Sequence, residues 1–142
     1  MQIVVPTQHE FEQISRLIRQ FELDDRQLHH QQFLAGFIQK ELVGFGRLRT
    51  HDTCTELCSL GVAEPQRFKG IGTQLVKELI AKATKPLYLV CIIPDYFKPF
   101  GFSRVNSYPA ELQDKLDYCT AELLVPETYV VMKHRNSYTK NP

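Results

Sequence analysis

Charge of one sign is the first thing this sequence lacks. Seventeen Lys and Arg against sixteen Asp and Glu leave a net +1, so no basic field points to nucleic acid and no acidic run to a basic partner. The four cysteines, Cys54, Cys58, Cys91 and Cys119, form no C-x-x-C pair and have no His-rich companion. They read as reduced thiols of an intracellular, cytoplasmic protein, and no metal site is expected. No stretch approaches membrane-spanning length, and Met1 to Pro6 is too short for a targeting segment. Internal repeats and low-complexity runs are absent too.

What remains is an ordinary globular balance: 43% hydrophobic and 23% charged residues in 142. That length fits one domain, 1–142, with a real core. Ile3 to Val5 reads as a short strand stopped by Pro6. Thr7 and Glu10 have the spacing of a capping box, and Phe11, Ile14, Leu17, Ile18 and Phe21 then recur at helical spacing to about Gln20. A short second helix is predicted from Asp24, ending at the polar cluster His29 to Gln32. Phe33–Ile38, Leu42–Leu48 and Cys54–Val62 read as strands. The next helix opens at Gly70-Ile71-Gly72, with Ile71, Leu75, Val76, Leu79, Ile80 and Ala83 as its apolar stripe. Leu87 to Ile93 suits a strand covered on both faces. Pro94–Phe100 predicts a short helix closed by Gly101. A strand at Phe102–Val105, a helix over Glu111–Tyr118, a last strand at Tyr129–Lys133 and a loose polar tail, 134–142, complete the chain. Strands thus alternate with helices around one mixed sheet.

The feature richest in chemistry is a strand followed by Arg67-Phe68-Lys69-Gly70-Ile71-Gly72 at the head of an amphipathic helix. Unpaired N–H groups and the helix dipole hold an anion there, and glycines let a phosphate approach the backbone. A packing turn would use the same glycines. The loop is no Walker motif, for G-x-x-x-x-G-K-[ST] does not occur, and a dinucleotide fingerprint would need a third glycine.

The run from Leu57 to Val76, L-C-S-L-G-V-A-E-P-Q-R-F-K-G-I-G-T-Q-L-V, resembles the acetyl-CoA motif of the GNAT N-acetyltransferase superfamily. Arg67, Gly70 and Gly72 stand at its three defining positions, and D-Y-F-K-P-F-G-F (Asp95 to Phe102) is similar to the Gly-Phe segment after the following strand. Within the superfamily, T-E-L-C-S-L-G-V-A-E-P and C-I-I-P-D-Y-F-K-P-F-G-F look like short N-acetylglutamate synthases and related small-molecule enzymes. The resemblance implies an α/β fold with a mixed, mostly antiparallel sheet of about six or seven strands flanked by about four helices. It also implies acetyl-CoA as cofactor. Leu60, Gly61 and Val62 would pair with the pantetheine arm, and Arg67, Phe68, Lys69, Gly70, Ile71, Gly72 and Thr73 would hold the pyrophosphate. An oxyanion donor is implied near Val62. The partner would be a small-molecule amine, with no nucleic acid or membrane, and the enzyme a monomer or homodimer.

Two catalytic candidates follow. Glu56 shares a strand face with Cys54, Cys58, Leu60 and Val62, a setting expected to raise its proton affinity and suit a general base. The resemblance places a catalytic glutamate there. The alternative is a strand-end glutamate reaching water or pairing with Arg47 or Arg49, hairpin arginines that could equally meet a substrate carboxylate. A general acid departs from the family pattern, because Phe97 stands where many members carry a tyrosine. Tyr96 is adjacent and could substitute, or could pack with its hydroxyl at the surface. His29 and His30 read as solvated and the cysteines as core thiols. The leading reading is direct acetyl transfer to an amine; alternatives are a protein N-acetyltransferase and a non-catalytic acyl-CoA-binding module.

Overall fold

A computed structural model describes residues 1–63 and 70–135. The elements are β1 (Gln2–Val4), α1 (Gln8–Gln20), β2 (Phe33–Ile38), β3 (Glu41–Thr50), β4 (Thr55–Val62), α2 (Ile71–Lys82), β5 (Leu87–Cys91), α3 (Pro94–Phe97), β6 (Phe102–Arg104), α4 (Ala110–Glu122) and β7 (Val130–His134). The strands pair in the order β1-β2-β3-β4-β5-β7-β6. Pairing is antiparallel for β1–β2, β2–β3, β5–β7 and β6–β7, and parallel for β4–β5, where Thr55 meets Leu87 and Glu56 meets Tyr88. Among the described residues, seven strands, mostly antiparallel, and four helices match the fold the sequence implied.

The backbone gathers into two compact units, Met1–Leu48 with Cys58–Leu79, and Arg49–Leu57 with Ile80 onward. In the first, α1 starts where the capping box requires it. Glu10 N–H donates to Thr7 Oγ1 at 3.1 Å and Thr7 N–H to Glu10 Oε1 at 2.9 Å. Its stripe of Phe11, Ile14 and Ile18 packs on Phe33 and Ala35 of β2 and on Leu42 and Phe45 of β3. A second cluster joins Val43 to Ile71 and Leu75 of α2, with Leu60 and Val62 against it. The β2–β3 register slips between Gly36 and Phe37, so Leu42 and Phe45, three residues apart, share one face while Val43 takes the other. In the other unit, Cys54, Tyr88, Leu112 and Val131 form the core under α4.

Several boundaries differ from expectation. No regular helix begins at Asp24: the chain turns instead, with Glu22 and Gln27 at φ +56° and +52°, and a short 3-10 turn follows at His30–Gln32. Strand β5 stops at Cys91, leaving Ile93 half exposed at 52%, because Pro94 cannot donate to a ladder and starts α3 instead. α3 continues as a 3-10 turn, Lys98–Phe100, capped by Gly101 at φ +101°, the left-handed closure expected there.

Candidate active site

Helix α2 opens on Gly70, whose φ of +77° lies in the left-handed region, and whose carbonyl accepts from Gln74 N–H at 3.2 Å. The N–H groups of Ile71, Gly72 and Thr73 therefore belong to the first turn, which has no intrahelical acceptor for them. Ile71 and Leu75 anchor this end in the core. A Cβ built on Gly70 would meet nothing within 4 Å among the described residues. The helix end thus presents donors and a partial positive charge together. Arg67, Phe68 and Lys69 lie outside the described residues, as does the tail beyond Arg135.

Strand β4 leads toward this helix with an irregularity that sequence reading did not foresee. Ser59 takes φ +49° in mid-strand, and its buried hydroxyl donates to Asp24 O at 2.9 Å. A left-handed residue inside a strand bends it and changes which way the next side chains face. Leu60 and Val62 go to the α2 cluster. Gly61 instead backs onto Phe45 and Phe21: a Cβ there would lie 2.6 Å from Phe45 Cζ and 3.2 Å from Phe21 Cδ2. So the position predicted to line the pantetheine arm admits no side chain.

Glu56 is fully buried, but its neighbours are not the apolar ones expected. His51 Nε2 donates to Oε1 at 3.0 Å, and Lys115 Nζ lies 3.0 Å from Oε2. Burial pushes the carboxyl's pKa up; the His51 hydrogen bond, the Lys115 ammonium and Arg49 outweigh that and leave it below its ordinary value. The expectation of raised proton affinity is therefore corrected: charge pairing wins over desolvation. The same surroundings act the other way on Cys54, whose thiol burial and the Glu111 and Glu56 charges push up to about 11. That thiol stays protonated at neutral pH, and all four cysteines are buried outside any disulfide.

Tyr96 lies on α3, 37% exposed, with its ring edge-on to Phe97 at 5.0 Å and 5.6 Å from Phe100. Phe97 takes the inward position and packs on Phe102. Arg49 acts on Glu56, as one of the expected alternatives had it, but Arg47 departs from expectation. Arg47 is no surface residue but 0% exposed: its Nε donates to Gln32 Oε1 at 2.8 Å and its Nη2 to Arg26 O and Gln27 O at 2.7 and 3.0 Å. His29 and His30 stack at 4.9 Å. Their Nδ1 atoms engage Gln31 N–H and Pro6 O, and among the described residues no group of three His, Cys, Asp or Glu is placed to hold a metal.

Sequence reading missed His51 and Lys115. Lys115 left a signal, since it falls in the inward stripe of α4 between Leu112 and Cys119, both buried. A lysine at such spacing needs a buried partner. His51, in the turn between β3 and β4, left none.

An open mixed sheet with a glycine-opened helix N-terminus defines a class of α/β folds suited to a phosphate-bearing cofactor. The family model described as Acetyltransferase (GNAT) family matches residues 2–102, and the chain belongs to that family. No curated protein sequence matches it. Among solved structures, N-acetylglutamate synthase from Neisseria gonorrhoeae, complexed with coenzyme A and N-acetyl-glutamate, superposes with a TM-score of 0.75 at 16% identity, over 94% of this chain and 34% of that one. This chain thus spans about a third of that enzyme. Rv2747 from Mycobacterium tuberculosis, complexed with CoA, gives 0.75 at 15%, covering 94% and 98%. Naa50 from Arabidopsis thaliana, with the bisubstrate analogue CoA-Ac-MVNAL, gives 0.64 at 16%, covering 94% and 97%. At such identities the likeness concerns the fold. No helix among the described residues is long and apolar enough to cross a membrane.

Proposed function

We propose that this chain transfers the acetyl group of acetyl-CoA to the primary amine of a small, amino-acid-like molecule. The observation that carries the reading is the start of α2, where first-turn N–H groups follow a left-handed Gly70 whose would-be Cβ meets none of the described residues within 4 Å. The pyrophosphate would sit on residues Arg67 to Thr73, and the pantetheine arm along Leu60 to Val62. The amine attacks the thioester carbonyl directly, and its proton leaves through the Glu56 assembly. A thiol's reference pKa of about 8.5 makes the thiolate a tolerable leaving group near neutral pH, so a proton from Tyr96 assists without being indispensable.

The acceptor class follows from energetics. Freeing a lysine side chain, pKa about 10.4, costs on the order of 4–5 kcal/mol at pH 7, against about 1 for the α-amine of a peptide and an intermediate amount for a free amino acid, whose carboxylate holds the ammonium. An assembly built around a carboxylate held below its ordinary value supplies only modest basicity and suits the cheaper task. Release of CoA thiol over a panel of free amino acids, blocked lysines and short peptides tests this. Turnover is expected with free α-amino acids. Faster turnover with peptides would favour a protein N-acetyltransferase. Calorimetric binding of CoA with no turnover over the panel would leave a binding module.

A further inference from the structure

Resting on the acetyltransferase reading, we infer that His51, not Glu56, is the group that accepts the amine's proton, and that Glu56 is its positioning partner. Glu56 has almost no surface from which to meet a substrate, its side chain being 1% exposed and both oxygens engaged. The His51 side chain is 15% exposed, so it connects the buried carboxylate to water. Since an ionised carboxylate only accepts, Nε2 carries the hydrogen, and the neutral ring keeps its lone pair on Nδ1. Among the described residues Nδ1 has no partner. A carboxylate that fixes one tautomer and balances the charge formed on the ring is the arrangement by which imidazoles are made bases.

The backbone of His51 is held as firmly as its ring. Its N–H donates to Cys54 O at 2.8 Å, and Lys85 Nζ donates to His51 O and Asp52 O at 2.7 and 2.9 Å. A turn histidine anchored at three points is over-determined for a surface residue and suits a group that must be aimed. The charges around the assembly are Lys115 from α4, Arg49 from β3, Lys85 ahead of β5 and Asp52 on the turn, with Glu111 of α4 beside Cys54.

The proton count closes without any further reactant. One proton of the ammonium passes to Nδ1 of His51 and on to water. The freed amine nitrogen bonds to the thioester carbonyl carbon. The carbon–sulfur bond then breaks with its electron pair on sulfur, and the second nitrogen proton ends on the CoA thiol.

The test is kcat against pH for the full chain and two variants. His51→Gln keeps a donor toward Glu56 but cannot titrate. It is expected to lower kcat by at least about 10²-fold, a typical worth of general-base catalysis, and to leave an acid limb set by the substrate ammonium alone, displaced to higher pH, with the KM for acetyl-CoA little changed. Glu56→Gln should keep the limb but move it to lower pH, because the imidazolium loses its counter-charge while Lys115 stays. Wild-type kcat and an unchanged limb in His51→Gln would overturn the proposal and leave the acetyltransferase reading standing. A wild type that acetylates no amine would overturn both. If His51→Gln does not fold, ring nitrogen resonances of the wild type decide: an Nε2–H tautomer titrating together with kcat supports the assignment, and an Nδ1–H tautomer or a ring silent across the limb overturns it.

Discussion

Lys115 and Glu56 keep each other charged out of water: Nζ stands 3.0 Å from Oε2, with side-chain exposures of 5% and 1%. Removing one member of such a pair leaves the other charge buried and uncompensated, typically at a cost of about 3–5 kcal/mol. Lys115→Met should therefore lower the free energy of unfolding by that order, read from urea denaturation. Combined with Glu56→Gln, the loss should be smaller than the sum of the single effects, because the second change removes the stranded charge. Additive losses would mean that the two groups do not depend on each other.

The same pairing sets a sign for acid sensitivity. The carboxyl of Glu56 lies below its ordinary value of 4.5 in the folded chain. A group with a depressed folded pKa contributes stability above its unfolded pKa and loses it as pH falls through the folded one. Melting temperature should therefore decline below about pH 4.5, an onset set by the unfolded value. Glu56→Gln should show a shallower decline over that range. Parallel acid profiles for the two proteins would remove Glu56 from the account.

Gly70 tests the cofactor end separately. Its would-be Cβ meets none of the described residues within 4 Å, so Gly70→Asp disturbs no described packing and costs about 1–2 kcal/mol through its left-handed φ. A carboxylate there would oppose a pyrophosphate at the helix end. CoA affinity measured by calorimetry should fall at least tenfold while the protein stays folded. Unchanged affinity would make the loop a packing turn.

The fold was legible wherever local chemistry and periodicity agreed. Thr7 with Glu10, the stripe Ile71–Leu75–Leu79 and the Gly101 closure each need only a few neighbouring residues, and each stands where predicted. The candidate site was named from the sequence through the glycines and Glu56. Its electrostatics were not. Alternation along β4 put cysteines and leucine beside Glu56, whereas its true companions come from a turn five residues before it and a helix 59 residues after it. Pattern reading along one strand carries no information on what another element delivers to its face. Arg47 misled for the same reason: hairpin position suggested solvent, but the segment from Arg26 to Gln32 folds over its guanidinium.

That cover fixes a length. Arg47 reads the carbonyls of two successive residues, Arg26 and Gln27, and then the amide oxygen of Gln32, with its guanidinium carbon 5.9 Å above the Phe33 ring. Side chains pointing away from it are free to be exchanged, so the segment can change what it displays. Inserting or deleting a single residue between Gln27 and Gln32 cannot be absorbed so easily, because it would slide an acceptor off a cation that has no water to turn to. Diversity in this stretch is therefore a matter of substitution within a constant count of residues.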